Sequence, residues 1–337
     1  MLRTAATFAA LAALLAAPCR ASAQQASWNG YVQARLQGGP HDVRGFSIRR
    51  AKLWVKGSTP VLPHVAFKVQ GIFKRSAGEG FTLQDAYAAY DFGKGVVRVG
   101  RMVPDFSLER SQPDALVPTA ERAAVIDALI PSAETGARDV GVEALLGSGS
   151  PWHLGVGVFN GTGRDAEDFT GRRLLLTERV TLTLPLAGAT HVRLGASGAL
   201  RTVRGAPYRR ILGAAETFSG RDLRWGGEAR ISAKRWSLQG EYVEARLEDD
   251  VARGFYVLAH GALTPSTALT ASVERLDDLD PASEDAALLT AGLTRYLAGQ
   301  DAKILVEIRT RPGAADRATE LITQFQLFFR HFGRTLS

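Results

Sequence analysis

Short segments that alternate apolar with polar side chains follow one another along almost the whole chain, and no apolar run is long enough to cross a membrane as a helix. Successive side chains of a strand point to opposite faces, so this pattern makes each strand greasy on one side and wet on the other. Across Phe46–Gly57, Ala51, Leu53 and Val55 oppose Arg50, Lys52, Trp54 and Lys56. Across Val65–Lys74, Val65, Phe67, Val69, Gly71 and Phe73 oppose Lys68, Gln70 and Lys74. The same alternation runs through Arg179–Leu184, Arg235–Tyr242 and Ala302–Arg309. Eleven further stretches fit: 27–37, 81–92, 95–102, 138–147, 151–160, 189–201, 222–232, 253–263, 266–276, 286–297 and 319–332. The total of 16 suits an all-β fold, a transmembrane antiparallel β-barrel, because strand numbers are even when both ends lie on one side of the membrane. About 16 strands also leave an aqueous channel.

Residues 1–23 carry Arg3, an apolar run at Ala5–Ala17 and small residues at Ala21-Ser22-Ala23, the pattern of a cleaved secretion signal. The run of 13 residues falls short of the roughly 20 that a spanning helix needs. The expected division is therefore a signal peptide at 1–23 and one outer-membrane barrel domain at 24–337. Cys19, the only cysteine, lies in the segment to be removed, which leaves no disulfide and no thiolate metal site in the mature chain. Loss of Arg3 and Arg20 takes Lys+Arg from 41 to 39 against 34 acids, and the formal charge from +7 to +5.

Most connections are short, and Gly93-Lys94-Gly95 reads as a hairpin turn. Ser107–Arg138 is far longer, with Pro113, Pro118 and Pro131 and a possible short helix at Ala120–Leu129. An insertion of that length inside an ordered domain is usually functional or disordered.

The stretches GFSIRRAKLWVKG (45–57), FKVQGIF (67–73), LQDAYAAYDF (83–92) and VVRVGRMVPDFSLE (96–109) resemble the N-terminal half of the phosphate-selective porin O/P family. GARDVGVEALLG (136–147), GVGVFNGTG (155–163), WGGEARISAKRWSLQGEYVEARL (225–247) and RGFYVLAHGALT (253–264) extend the resemblance in the same order. It implies a barrel of 16 strands, usually a homotrimer, whose long third loop folds into the lumen and narrows a passage for small anions such as phosphate or polyphosphate. Guanidinium forks suit phosphate oxygens, and rings of Arg and Lys make a pore anion-selective. The inward-facing candidates are Arg35, Arg50, Lys52, Lys56, Lys68, Lys74 and Arg98, with Arg110, Arg122 and Arg138 on or beside the long loop. The loop also holds Glu109, Asp114, Glu121, Asp127 and Glu134 and no lysine, whereas a dedicated phosphate trap calls for a net basic constriction.

Other readings remain open on the same scaffold. A general or carbohydrate-leaning porin would use the basic residues only to balance the loop acids, and a sugar stripe would need inward aromatics, for which Tyr31, Trp54 and Tyr90 have the phase. A closed barrel of structural or adhesive role would conduct nothing. The six histidines are scattered without metal-ligand spacing, no phosphate-binding loop is present and no basic helix or tail suits nucleic acid. No enzyme activity and no cofactor are expected; the expected partners are small anions, outer-membrane lipid and further copies of the chain.

Overall fold

The computed structural model describes residues 26–39, 43–59, 62–73, 80–163, 174–213, 216–314 and 319–330. The signal segment 1–23, Lys74 and the last two positions of the stretch 319–332 lie outside the described residues. The first eight strands are β1 Ala26–Gly38, β2 Val43–Ser58, β3 Val65–Phe73, β4 Phe81–Asp91, β5 Gly95–Met102, β6 Asp139–Leu146, β7 Trp152–Phe159 and β8 Leu175–Pro185. The second eight are β9 His191–Ala206, β10 Phe218–Ser232, β11 Trp236–Leu247, β12 Asp250–Thr264, β13 Thr267–Asp277, β14 Leu288–Ala298, β15 Ala302–Thr310 and β16 Thr319–Arg330. Each overlaps one of the segments read from alternation, and the largest extensions, five residues each, are those of β8, β9 and β11.

Every strand pairs with its sequence neighbours, and β1 pairs with β16, so the sheet closes and has no free edge. Closure needs a close approach at Gly30, opposite Phe329: a Cβ there would stand 2.3 Å from the Phe329 ring. No helix among the described residues is long and apolar enough to cross a membrane. The barrel crosses with its strands, each backbone group satisfied by a neighbour.

Its two faces differ as the alternation requires. Leu53, Val99, Val180, Leu194, Val257, Leu293 and Leu321 stand exposed on the outside, while Gln33, Arg35, Lys52, Asp85, Glu143, Glu241 and Glu307 are buried on the inside. Val180, 51% exposed, lies midway along β8. Replacing it with arginine is expected to destabilise the barrel by about 2–4 kcal/mol, the penalty for a cation near the bilayer midplane. Urea unfolding in lipid vesicles, against Thr181→Arg on the inner face, measures the difference.

Of the six register shifts among the described strands, two change the reading of the inward set. Gln33 pairs with Arg50 and Ala34 with Ile48, which leaves Arg49 as the extra residue of β2. Gln70 pairs with Asp85 and Gly71 with Leu83, which leaves Gln84 extra in β4. Asp85 and Tyr87 then meet inward groups, and Tyr90, 49% exposed, falls on the outer face with Ala86 and Ala88. The inward phase read for Tyr90 is thereby corrected; Tyr31 and Trp54 do face inward, where they cluster with Phe328.

The connection between β5 and β6 contains helix α1 (Leu108–Ser111), helix α2 (Ala124–Leu129) and a 3-10 turn (Ala133–Thr135). The helix expected from Ala120 starts at Ala124 instead. The amides of Ala120, Ala123 and Ala124 are taken by the carboxylates of Glu307, Glu109 and Glu274, so no helical turn closes before that point. Val125, Ile126 and Leu129 of α2 join Ala245, Ala252, Tyr256 and Leu258 in the main buried apolar cluster.

Candidate functional site

The inward cations gather around a few carboxylates. Glu121 receives three arginines: Arg35 Nη1 at 2.6 Å, Arg50 Nη2 at 2.6 Å and Arg49 Nη2 at 2.9 Å. Arg35 also donates to Gln324 Oε1 and to the Ala120 carbonyl at 3.0 Å. Asp114 receives Lys52, Arg122 Nη2 at 2.7 Å and Arg110 Nη1 at 3.7 Å. Asp85 of β4 holds Lys68 Nζ and Arg138 Nε, both at 2.7 Å. Arg98 pairs with Glu143 and lies 5.6 Å over the Tyr87 ring.

Eight of the ten residues singled out from sequence therefore converge, on β1–β6 and segment 103–138. Lys56 stands exposed near the short-turn end of β2, with no side-chain partner among the described residues, and Lys74 lies outside those residues. Arg49 is the member that alternation missed: period two sends it outward when Arg50 points inward, and the bulge turns both toward Glu121. The cluster then holds nine cations, Arg35, Arg49, Arg50, Lys52, Lys68, Arg98, Arg110, Arg122 and Arg138, on four carboxylates, an excess of five positive charges.

The acids of the segment thus act as receptors for wall cations. Burial opposes ionisation of Asp114, but Lys52 and Arg122 outweigh it and hold the carboxyl well below its usual range. Glu121 is buried too, and the hydrogen bond from Arg49 with the charges of Arg50, Arg49 and Arg35 brings it to about 2. Arg110 moves the other way: burial and the crowding of Arg138 and Arg122 lower it to about 10. Glu134 and Asp127 also have partners, Arg201 at 2.8 Å and Arg210 at 3.2 Å.

The opposite wall bonds to the segment with the reverse polarity. Glu241 of β11 accepts from the amides of Leu108 at 3.0 Å and Glu109 at 2.7 Å, from Ser107 Oγ at 3.1 Å and from Tyr256 OH at 2.8 Å. Glu307 of β15 accepts from the Ala120 amide at 2.9 Å, and Lys303 Nζ donates to the Ala115 carbonyl at 2.8 Å. Such charge-assisted bonds are roughly twice as strong as neutral ones. Segment 103–138 is thus bonded to side chains of β1, β2, β4, β11 and β15.

Three further inward cations lack a carboxylate among the described residues. Arg193 of β9 and Arg230 of β10 stand directly opposite each other, an arrangement that is destabilising in a sheet unless something compensates it. Among the described residues Arg193 donates only to Thr183 Oγ1, and the buried Arg230 Nε has no partner. Lys303 is the third. Alternation alone would have placed all three inside.

A closed barrel of 16 antiparallel strands, apolar outside and charged within, defines an outer-membrane channel protein of the porin class. The chain belongs to the phosphate-selective porin O and P family, whose sequence model matches residues 26–269. Solved porin structures share the fold at low identity. Salmonella typhi OmpF in complex with daunomycin superposes with a TM-score of 0.66 at 15% identity, covering 91% of this chain and 98% of its own. An anion-selective porin from Comamonas acidovorans gives 0.63 at 12% identity, with 91% and 100% covered. The trimer form of OmpT, an outer membrane protein of Vibrio cholerae, gives 0.60 at 13% identity, again over 91% and 100%. No curated protein sequence matches the chain.

Proposed function

We propose that the chain is a passive channel for small anions, with phosphate or polyphosphate as its solutes, in which segment 103–138 lies across the lumen and narrows it. The nine cations around four carboxylates are the observation that carries this reading. An excess of fixed positive charge in a narrow, low-dielectric passage concentrates anions and repels cations. A phosphate dianion trades part of its hydration for charge-assisted bonds from guanidiniums whose carboxylate partners occupy only some of their five N–H donors. Each contact is weak enough for release because carboxylates compete for the same donors. The family and the anion-selective Comamonas acidovorans porin support the reading.

One observation favours a second reading, a general or carbohydrate-leaning porin. Glu241, Glu274 and Glu307 line the wall opposite the cations, so part of the field runs across the passage rather than along it. On either reading, residues 1–23 are the export signal and the protein assembles as a homotrimer in lipid, as the OmpT trimer form supports for the assembly.

Phosphate titrated onto a chloride current separates the two. Block of the current by phosphate is expected, weakened in Arg50→Gln, Lys68→Gln and Arg98→Gln. A charge lost across a water-filled gap of several ångström is worth roughly 0.5–1 kcal/mol, hence a block about two- to fivefold weaker per substitution. Absence of block in the unaltered channel would leave the general-porin reading.

A further inference from the structure

The outer wall of β11–β15 is hollowed near its short-turn rim. Ala259, Ala271 and Ala291 stand side by side on β12, β13 and β14, flanked by Leu238 on β11 and Ile308 on β15. Gly261 continues the floor beside Trp236, and the groove encloses about 800 Å³. Larger outward side chains, among them Leu269, Leu293 and Val306, form its walls.

Two cations stand at the rim end of this groove. Arg295 follows Leu293 on the outer face of β14, one rung or roughly 7 Å nearer the turn. Its Nη1 donates to Ser266 Oγ at 2.7 Å and Thr267 Oγ1 at 3.0 Å. Arg235, next to Trp236, donates from Nη2 to the carbonyls of Ala262 at 3.2 Å and Leu263 at 2.9 Å. Neither guanidinium has a carboxylate partner among the described residues, and each keeps N–H donors to spare. Short turns lie on the periplasmic side of such barrels, so the cations sit at the level of the inner leaflet's headgroups.

We propose that this groove binds one anionic glycerophospholipid of the periplasmic leaflet, with an acyl chain on the alanine floor and the phosphodiester on Arg235 and Arg295. Bulk lipid wets any apolar wall, but an apolar furrow ending in two uncompensated guanidiniums is complementary to a ligand that is greasy along its length and anionic at one end. The inference uses the outer-membrane location and not the anion selectivity of the lumen, so either can fail alone.

Native mass spectrometry of the full-length channel in detergent, titrated with dioleoyl phosphatidylglycerol or dioleoyl phosphatidylcholine, tests it. One phosphatidylglycerol is expected to be retained about tenfold more tightly than phosphatidylcholine. That preference should vanish in Arg235→Gln/Arg295→Gln, and both lipids should weaken in Ala271→Leu/Ala291→Leu, which fills the groove. Unaltered single-channel conductance shows that each variant is folded. Equal retention of both lipids by the unaltered protein, or unchanged retention in both variants, overturns the proposal. So does dissociation of the oligomer in the leucine variant with lipid retention intact, which would make a second copy of the chain the occupant.

Discussion

Replacing Glu121 with glutamine is expected to raise the chloride-to-potassium permeability ratio about two- to fivefold, the effect of one charge removed beside a water-filled passage. Arg35, Arg49 and Arg50 all converge on this carboxylate and would be left facing one another. The same change loosens segment 103–138, since removing one partner of a buried ion pair costs about 3–5 kcal/mol. Greater selectivity and lower thermal stability should therefore appear together. Asp114→Asn is expected to behave alike, because it strands Lys52, Arg110 and Arg122. Reversal potentials and melting curves of both variants check the pair of effects, and a fall in anion selectivity would contradict a lining dominated by cations. Acid gives an independent handle. Because Glu121 is held at about 2, the stabilisation from its arginines is complete above the ordinary carboxylate range and is lost as pH falls toward 2.

Docking of segment 103–138 is expected to weaken as pH rises from about 4.5 to about 8, and Glu109 is the reason. Burial, opposed by Arg122 and reinforced by the neighbouring Glu241, pushes its carboxyl from 4.5 to about 8. Released from its site, the group returns to the ordinary value. Between those two pH values the docked form holds a proton that the released form has lost, so docking is favoured on the acid side and declines through the window. Outside the window the contribution is flat. At about 1.4 kcal/mol per pH unit the full span amounts to several kcal/mol. Protection of the amides over 108–129, taken relative to their intrinsic exchange rates at each pH, should be greater at pH 5 than at pH 9, and Glu109→Gln should remove most of the difference. Equal protection at both pH values in the unaltered protein would show that the Glu109 carboxyl is not neutralised by its site.

Alternation made the barrel legible because a strand with lipid on one side and water on the other has to carry it at every residue, as β2 and β15 do. Where the register slips, that logic fails. Arg49 reads as outward and Tyr90 as inward, and both are misplaced by bulges that leave no mark in the composition of the strands. The start of α2 was hidden for a different reason. Helix propensity favours Ala120–Leu129, but carboxylates from β13 and β15, more than 140 residues away, take the amides of the first turn. Long-range partners also set the meaning of the loop acids. Read alone, Asp114 and Glu121 dilute a basic loop; in the folded chain they draw Arg35, Arg50 and Lys52 from the wall into one cluster. Arg193 and Arg230 were readable as inward, yet only the pairing of β9 with β10 reveals that they face each other without a carboxylate.

The most direct measurement is the zero-current potential of single purified channels in a planar bilayer under a tenfold KCl gradient. The charge excess around Glu121, Asp114, Asp85 and Glu143 predicts a potential of anion-selective sign, near the chloride equilibrium value. A potential of zero, or of cation-selective sign, would contradict the assignment of this lining as an anion path.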